Sequence, residues 1–209
     1  MDGETQEHYF TAEPAAPGGR RTHEVWLAGR RVLVQTAGGV FSPERVDTGT
    51  GVLLQEAPAP PGTGTFLDLG CGWGPLALTL GLVSPEALVY AVDVNDRAID
   101  LTRANAASLS LTGVVACRPE EVPDDVHLDV IWSNPPIRVG KSALHAMLEH
   151  WLPRLHPGGV AYLVVQKNLG ADSLQRWLGH AMPELTCSRH AISRGFRVLQ
   201  VSREVSRAG

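Results

Sequence analysis

The chain has 209 residues and a mass of 22.4 kDa, enough for one domain of ordinary size with a tail. It is 44% hydrophobic and 19% charged, which is a globular and not a disordered composition. No apolar run approaches the roughly eighteen residues that a membrane helix needs, so a spanning segment is excluded. The net charge of −4 argues against a protein that coats nucleic acid non-specifically. The charge is unevenly spread, however: residues 137–209 hold 10 basic against 4 acidic side chains, a net +6. Such a stretch fits a surface facing a polyanion, and equally an arginine-biased solvated face. Cys71, Cys117 and Cys187 are scattered and form no CxxC pair, so neither a disulfide framework nor a metal site is indicated. Met1-Asp2-Gly3-Glu4 lacks the layout of a signal peptide, and a cytoplasmic location is expected.

Along the chain, the Pro- and Gly-rich stretch within residues 1–19 holds neither a helix nor a central strand. Val25–Leu27 and Arg31–Gln35 alternate as short strands about an Ala28-Gly29 turn. A second break at Ala57-Pro58-Ala59-Pro60-Pro61-Gly62 separates residues 1–63, read as a tail and flap, from a main domain over 64–209. Strands are predicted over Thr65–Leu69, Ala87–Val94, Val114–Cys117, Leu128–Trp132 and Val160–Val165. Helices are predicted over Pro75–Leu82, Asp96–Leu109 with Asn95 as N-cap, Lys141–Leu155, and Asp172–Met182. Leu185–His190 and Phe196–Val201 form a closing antiparallel hairpin. Such alternation makes an α/β fold, a mostly parallel sheet with helices on both faces. Ligands bind such sheets at the carboxyl ends of the strands, near the point where the strand order reverses.

Three stretches carry chemistry. Leu67-Asp68-Leu69-Gly70-Cys71-Gly72-Trp73-Gly74 sits where the first main-domain strand gives way to a helix. Its alternate glycines allow a tight turn and close approach to a ligand. The loop has no basic residue and no GK[ST], while Asp68 stands at the strand end, so a ligand with a cationic or amine-bearing part fits better than phosphate. Asp93 ends the next strand, 19 residues after Gly74, near the spacing at which an acid bonds a ribose hydroxyl pair. Ser133-Asn134-Pro135-Pro136-Ile137-Arg138 ends a later strand. The double proline fixes the turn and removes two amide donors. The Asn134 side-chain oxygen and the Pro135 carbonyl then form an acceptor pair suited to an NH2 group.

Together these motifs resemble the class I S-adenosylmethionine-dependent methyltransferases, and within them the methyltransferase small-domain family, which includes rRNA guanine-N2 methyltransferases and archaeal proteins with an NPPIR sequence. The likeness runs from His8-Tyr9-Phe10 through Gly39-Val40-Phe41-Ser42, Val46-Asp47-Thr48-Gly49-Thr50, the glycine loop and Asn134–Lys141 to Gly195-Phe196-Arg197-Val198-Leu199. It implies a Rossmann-like seven-stranded sheet with the last strand antiparallel. It implies S-adenosylmethionine as cofactor, with Asp68, Gly70, Gly72 and Gly74 around its methionine part and Asp93 at its ribose. Phe41 and Thr50 would close over the methionine end, and Asn134, Pro135 and Pro136 would hold the target amine. Two departures stand out. Arg118, followed by Glu120 and Glu121, stands where relatives carry an acid for the adenine amine, and Ile137 replaces the aromatic that often stacks on a flipped base.

The expected activity is N-methylation, with the exocyclic amine of a guanine in rRNA as target. Ile137, Arg138 and Lys141 are the candidate substrate contacts, and no metal is required. A protein glutamine or a small-molecule amine as methyl acceptor stays open, as does a non-catalytic RNA- or protein-binding module. His145, His150 and His156 are not at metal-ligand spacing and are read as surface or packing residues. Trp73 and Trp132 are read as packing aromatics, and nothing supports a nucleophilic Cys71.

Overall fold

The computed structural model describes residues 19–43 and 45–205, with the side chain of Arg138 excepted. Nearly all of the N-terminal tail, including His8-Tyr9-Phe10, lies outside the described residues. An antiparallel hairpin opens the described chain, β1 (Arg21–Leu27) and β2 (Arg30–Thr36), turning at Ala28-Gly29. Helix α1 (Thr48–Glu56) follows. The main sheet is then built from β3 (Thr65–Leu69), β4 (Leu88–Val92), β5 (Val114–Cys117), β6 (Leu128–Ser133), β7 (Leu155–Gln166), β8 (Leu185–Ser193) and β9 (Phe196–Arg203). Its spatial order is β5-β4-β3-β6-β7-β9-β8. The first five of these strands pair in parallel, and β9 runs antiparallel to both β7 and β8. This is the Rossmann-like α/β sheet that the sequence pattern predicts.

Helices α2 (Pro75–Val83), α3 (Asp96–Ser108), α4 (Lys141–Trp151) and α5 (Ala171–Ala181) cover the faces. One core layer joins Leu67, Leu128, Ile131, Leu163 and Leu199 of the sheet to Leu144, Leu148 and Trp151 of α4 and Leu174 and Leu178 of α5. The opposite layer joins Phe66, Val89, Val130 and Val198 to Val52 and Leu53 of α1 and Leu76 and Leu80 of α2. The strands are buried on both faces, which explains their near-continuous apolar sequence. No helix of the described residues is long and apolar enough to cross a membrane.

Three elements differ most from their expected form. Helix α4 ends at Trp151 and not at Leu155, because Pro153 lacks the amide that would continue it; a 3-10 turn over Leu152–Arg154 follows. Strand β7 then starts at Leu155, five residues before the predicted start at Val160, and runs through Pro157-Gly158-Gly159. Leu155 pairs with Leu128, a register shift absorbs the extra residues, and a Cβ at Gly159 would come within 2.7 Å of the Leu128 carbonyl oxygen. The third element is α1, which the composition of residues 1–63 does not announce.

The hairpin is not a loose appendage. Val25, Leu27, Val32 and Val34 pack on Trp73, Leu78, Ala98 and Leu101 in a third core cluster. Asn105 of α3, only 1% exposed, makes the polar joint beneath it. Its Nδ2 donates to the carbonyls of Gln35 and Trp73, each at 2.9 Å, and its Oδ1 accepts from the Gln35 amide at 2.6 Å. Asn105→Leu orphans all three backbone groups. It is expected to cost about 3 kcal/mol, by the usual penalty for buried unsatisfied groups. In a thermal melt that is a fall of about 6–12 °C for a chain of this size. An unchanged melting temperature would show that the joint is not needed.

Candidate functional site

The glycine loop is shaped by backbone geometry. Gly70, Gly72 and Gly74 take φ values of +83°, +57° and +95°, a region side chains rarely adopt. The loop folds back on the end of β4: the amides of Gly70 and Cys71 both donate to the Val92 carbonyl, at 2.9 and 3.0 Å. The Gly72 amide donates to Asp93 Oδ2 at 3.0 Å, while Asp93 Oδ1 accepts from the Asn95 amide at 3.0 Å. Gly74 is needed twice over, because a Cβ there would also lie 2.9 Å from Thr102 of α3. At Gly70 a Cβ would meet nothing, since that side of the loop opens onto a pocket.

Six of the predicted residues, Phe41, Thr50, Asp68, Gly70, Gly72 and Asn134, line that one pocket. Gly74 and Asp93 do not line it; they hold the loop from behind. The stretch carrying Phe41 is drawn in from three points. Trp73 Nε1 donates to the Ser42 carbonyl at 3.2 Å, Asn95 Nδ2 to Gly39 at 3.0 Å, and Arg97 Nη1 to Gly38 at 2.8 Å.

Asp68 is the most unusual group in the pocket. It is fully buried, and only its Oδ2 is satisfied, by the Ala77 amide at 2.8 Å at the start of α2. Its Oδ1 has no partner among the described residues. Burial pushes the carboxyl up to about 8, the Ala77 amide opposes this, and the neighbouring Asp93 carboxylate adds to it. Asp93 is also raised by burial, against the pull of its backbone amides. An orphaned, buried carboxylate in a pocket without basic side chains calls for a positively charged ligand group. The residues present therefore fit the cationic methionine end of S-adenosylmethionine.

Asn134 sits where β6 ends. Its Nδ2 donates to Asp47 Oδ2 and to Thr50 Oγ1, each at 3.0 Å. Asp47 caps α1 with the same oxygen, accepting from the amides of Gly49 at 2.8 Å and Thr50 at 3.4 Å. Gly49 has to be small: a Cβ would lie 3.0 Å from both Asp47 Oδ2 and the Phe196 ring, and 3.3 Å from Asn134 Nδ2. Asp47 is therefore a site residue that sequence reasoning did not single out, although it falls in a stretch that carries the family resemblance. The only local signal for Asp47 is an acid before Thr48-Gly49-Thr50, a cap signature.

The double proline turn differs in one respect from the expected acceptor pair. Pro136 takes φ −75° and ψ 80°, an inverse γ-turn, and the Ile137 amide donates to the Pro135 carbonyl at 2.8 Å. One lone pair of that carbonyl is occupied and one is left. Ile137 packs against the α4 core layer, and Lys141 is exposed at the start of α4. The side chain of Arg138 lies outside the described residues. Arg118 turns away to Asp96, with Nη2 at 2.6 Å from Oδ2, and Glu121 is held by the Arg118 backbone amide at 2.7 Å. His145 stacks on Trp177 at 3.7 Å between centroids, and His150 and His156 make edge contacts with Trp151 and His127.

The raised Asp68 has a measurable consequence. Between about pH 4 and 8 the folded chain holds a proton on Asp68 that the unfolded chain has released. Stability of the ligand-free protein is therefore expected to fall as pH rises through that window. Asp68→Asn should flatten the fall and raise the melting temperature at pH 8. Parallel slopes for the two proteins would refute a raised Asp68.

The family model for the methyltransferase small domain matches residues 31–200. The chain is 32% identical over 170 residues to the uncharacterized protein YbxB of Bacillus subtilis, covering 80% of this chain and 85% of YbxB. It is 31% identical over 204 residues to ribosomal RNA small subunit methyltransferase C of Pseudomonas entomophila, covering 95% of this chain and 59% of the relative. The chain thus spans little more than half the length of the curated RNA methyltransferase it matches. Among solved structures it resembles the Thermus thermophilus 16S rRNA N2 G1207 methyltransferase, solved with AdoMet and guanosine, at a TM-score of 0.75 and 23% identity. That match covers 91% of this chain and 52% of the other, and it shows a shared fold. A family model across most of the chain and a relative of similar length make this protein a member of the methyltransferase small-domain family, enzymes that take their methyl group from S-adenosylmethionine.

Proposed function

We propose that the protein N-methylates the exocyclic amine of a guanine in ribosomal RNA, acting in the cytoplasm through a methyltransferase domain over 64–209, with residues 1–63 as an N-terminal tail and flap. The observation that carries this reading is the Asn134 amide: its NH2 is engaged by Asp47 and Thr50, which leaves Oδ1 as an acceptor at the rim of the pocket holding Asp68. Oδ1 and the remaining lone pair of Pro135 would accept from the two N–H groups of the amine. That contact orients the nitrogen lone pair, which conjugation with the base otherwise spreads over the ring. S-adenosylmethionine supplies the activated methyl group on its sulfonium. Asp68 and the backbone of the glycine loop would hold the methionine end, Phe41 and Thr50 would cover it, and Asp93 would take the ribose hydroxyls. With Glu121 engaged elsewhere, backbone groups are the better candidates for the adenine amine.

Support for a nucleic acid comes from the rim. Lys141, Lys167 and Arg194 are exposed on elements at the carboxyl ends of β6, β7 and β8, and none has a carboxylate partner among the described residues. Lys141 and, from the sequence, Arg138 would meet phosphates. Ile137 is turned towards the core; the Phe196 ring, which lies beside Gly49, would be the aromatic that meets the target base. The curated relatives named as ribosomal RNA methyltransferases agree with this choice of substrate.

The test uses S-adenosylmethionine with a radiolabelled methyl, incubated with ribosomal subunits, free RNA and soluble protein from a strain lacking the gene. Label in one guanine of RNA is expected. Label in protein would replace the RNA reading with a glutamine amide, and label confined to small molecules would replace it with a free amine. Asn134→Ala should bind S-adenosylmethionine within about threefold of the unaltered protein yet lose about 100-fold or more in transfer, the usual cost of removing one transition-state partner. Cofactor binding at pH 7 should also release a proton from Asp68. Calorimetry in buffers of different ionisation enthalpy would detect that release, and Asp68→Asn should abolish it.

A further inference from the structure

Asn134 has a problem that its own chemistry does not solve. A primary amide is nearly symmetric in shape, and a half-turn about its last bond exchanges oxygen and NH2. In one orientation Asn134 presents an acceptor to the target amine; in the other it presents donors that repel it. Its two contacts differ in how they bear on that choice. The Thr50 hydroxyl donates or accepts equally well and tolerates either orientation. The Asp47 carboxylate only accepts.

We propose that Asp47 is a positioning residue for methyl transfer, whose carboxylate fixes the Asn134 amide with its oxygen towards the substrate amine. The inference rests on the amine-holding role proposed for Asn134. Asp47 is itself immobilised, because the oxygen that meets Asn134 also caps α1 through the amides of Gly49 and Thr50. Gly49 leaves the space in which carboxylate and amide meet. The two residues are 87 positions apart in sequence, and Asp47 belongs to the stretch that closes the pocket. Folding of α1 and orientation of the catalytic amide are thus one event. The charge on the contact makes it stronger than a neutral hydrogen bond of the same length.

Separating this role from helix capping needs a variant that keeps the cap but discriminates less. Asn is as good an N-cap as Asp. Asp47→Asn keeps an oxygen that caps α1 and meets Asn134 but strips its charge, so the preference for one Asn134 orientation weakens. It is expected to keep the melting temperature and to keep S-adenosylmethionine affinity within about threefold, while kcat on small ribosomal subunits falls by about tenfold, the scale of one charged hydrogen bond. Asn134→Asp sets two carboxylates against each other and should be slower still. The double variant Asp47→Asn/Asn134→Asp removes one of the two opposed charges, and its carboxylate at 134 is an acceptor whichever way it turns. It should exceed Asn134→Asp by about tenfold, a coupling that independent sites do not show. A cap-only role predicts that Asp47→Asn transfers at the normal rate, or that its loss lies wholly in cofactor affinity, and either result overturns the proposal. Additive effects in the double variant do the same. Asn134→Ala separates the two levels. If it still transfers normally, the amine-holding reading falls and the inference with it; if it is inactive while Asp47→Asn is normal, only the inference falls.

Discussion

The site exists because the chain changes direction across its sheet at β3. From β3 the order runs outward through β4 to β5, and the next strand, β6, returns to pair on the other side of β3. The loops leaving β3 and β6 must therefore part, one towards each face, and the gap between them is the crevice in which α/β sheets bind ligands. Everything described at the pocket depends on that divergence. Asp68 closes the strand on one side and Asn134 follows it on the other. Ser133 Oγ, donating to the Leu69 carbonyl at 2.7 Å, keeps the two strand ends together while their loops separate.

Around this crevice, buried polar groups act as spacers between pieces that apolar packing alone leaves free to slide. Asn105 sets the hairpin against α3 and the glycine loop, Asp93 sets the loop against β4, and Asp47 sets α1 against the end of β6. Each is satisfied by backbone or amide groups from distant segments, so each specifies one arrangement. Asp68 is the exception, with one oxygen left unsatisfied in the interior. Such a group costs stability in the ligand-free chain and is the kind of local conflict expected where binding is to be gained.

Much of this was legible in the sequence. The strands of β3 and β5 fall where their apolar runs place them, and the limits of α2 and α3 follow from Pro75 and Asn95. The glycine loop and Asn134 were found because their chemistry is local. Three things were hidden, each for a physical reason. Helix α1 carries Gly49 and Gly51 within nine residues, poor helix formers that are tolerated because Val52 and Leu53 are fully buried and Asp47 caps the first turn. Strand β7 crosses Pro157-Gly158-Gly159 because its partner accommodates a shift in register, which no local rule anticipates. The link between Asp47 and Asn134 joins two segments that only the closed fold brings together. Arg118, at the position where relatives carry an acid for the adenine amine, is engaged by Asp96, an acid that is remote in sequence and near in space.

The cysteine in the middle of the cofactor loop has a practical consequence. Cys71 is buried, and burial together with the charges of Asp93 and Asp68 pushes its thiol well above the usual range. Burial likewise raises Cys117 and Cys187 to about 11 each. Alkylating agents and peroxides act on the thiolate, and at neutral pH this chain offers almost none. The burial that prepares the pocket for a cation also passivates the sulfur beside it. The sulfur in the middle of the loop is thus held in its least reactive form.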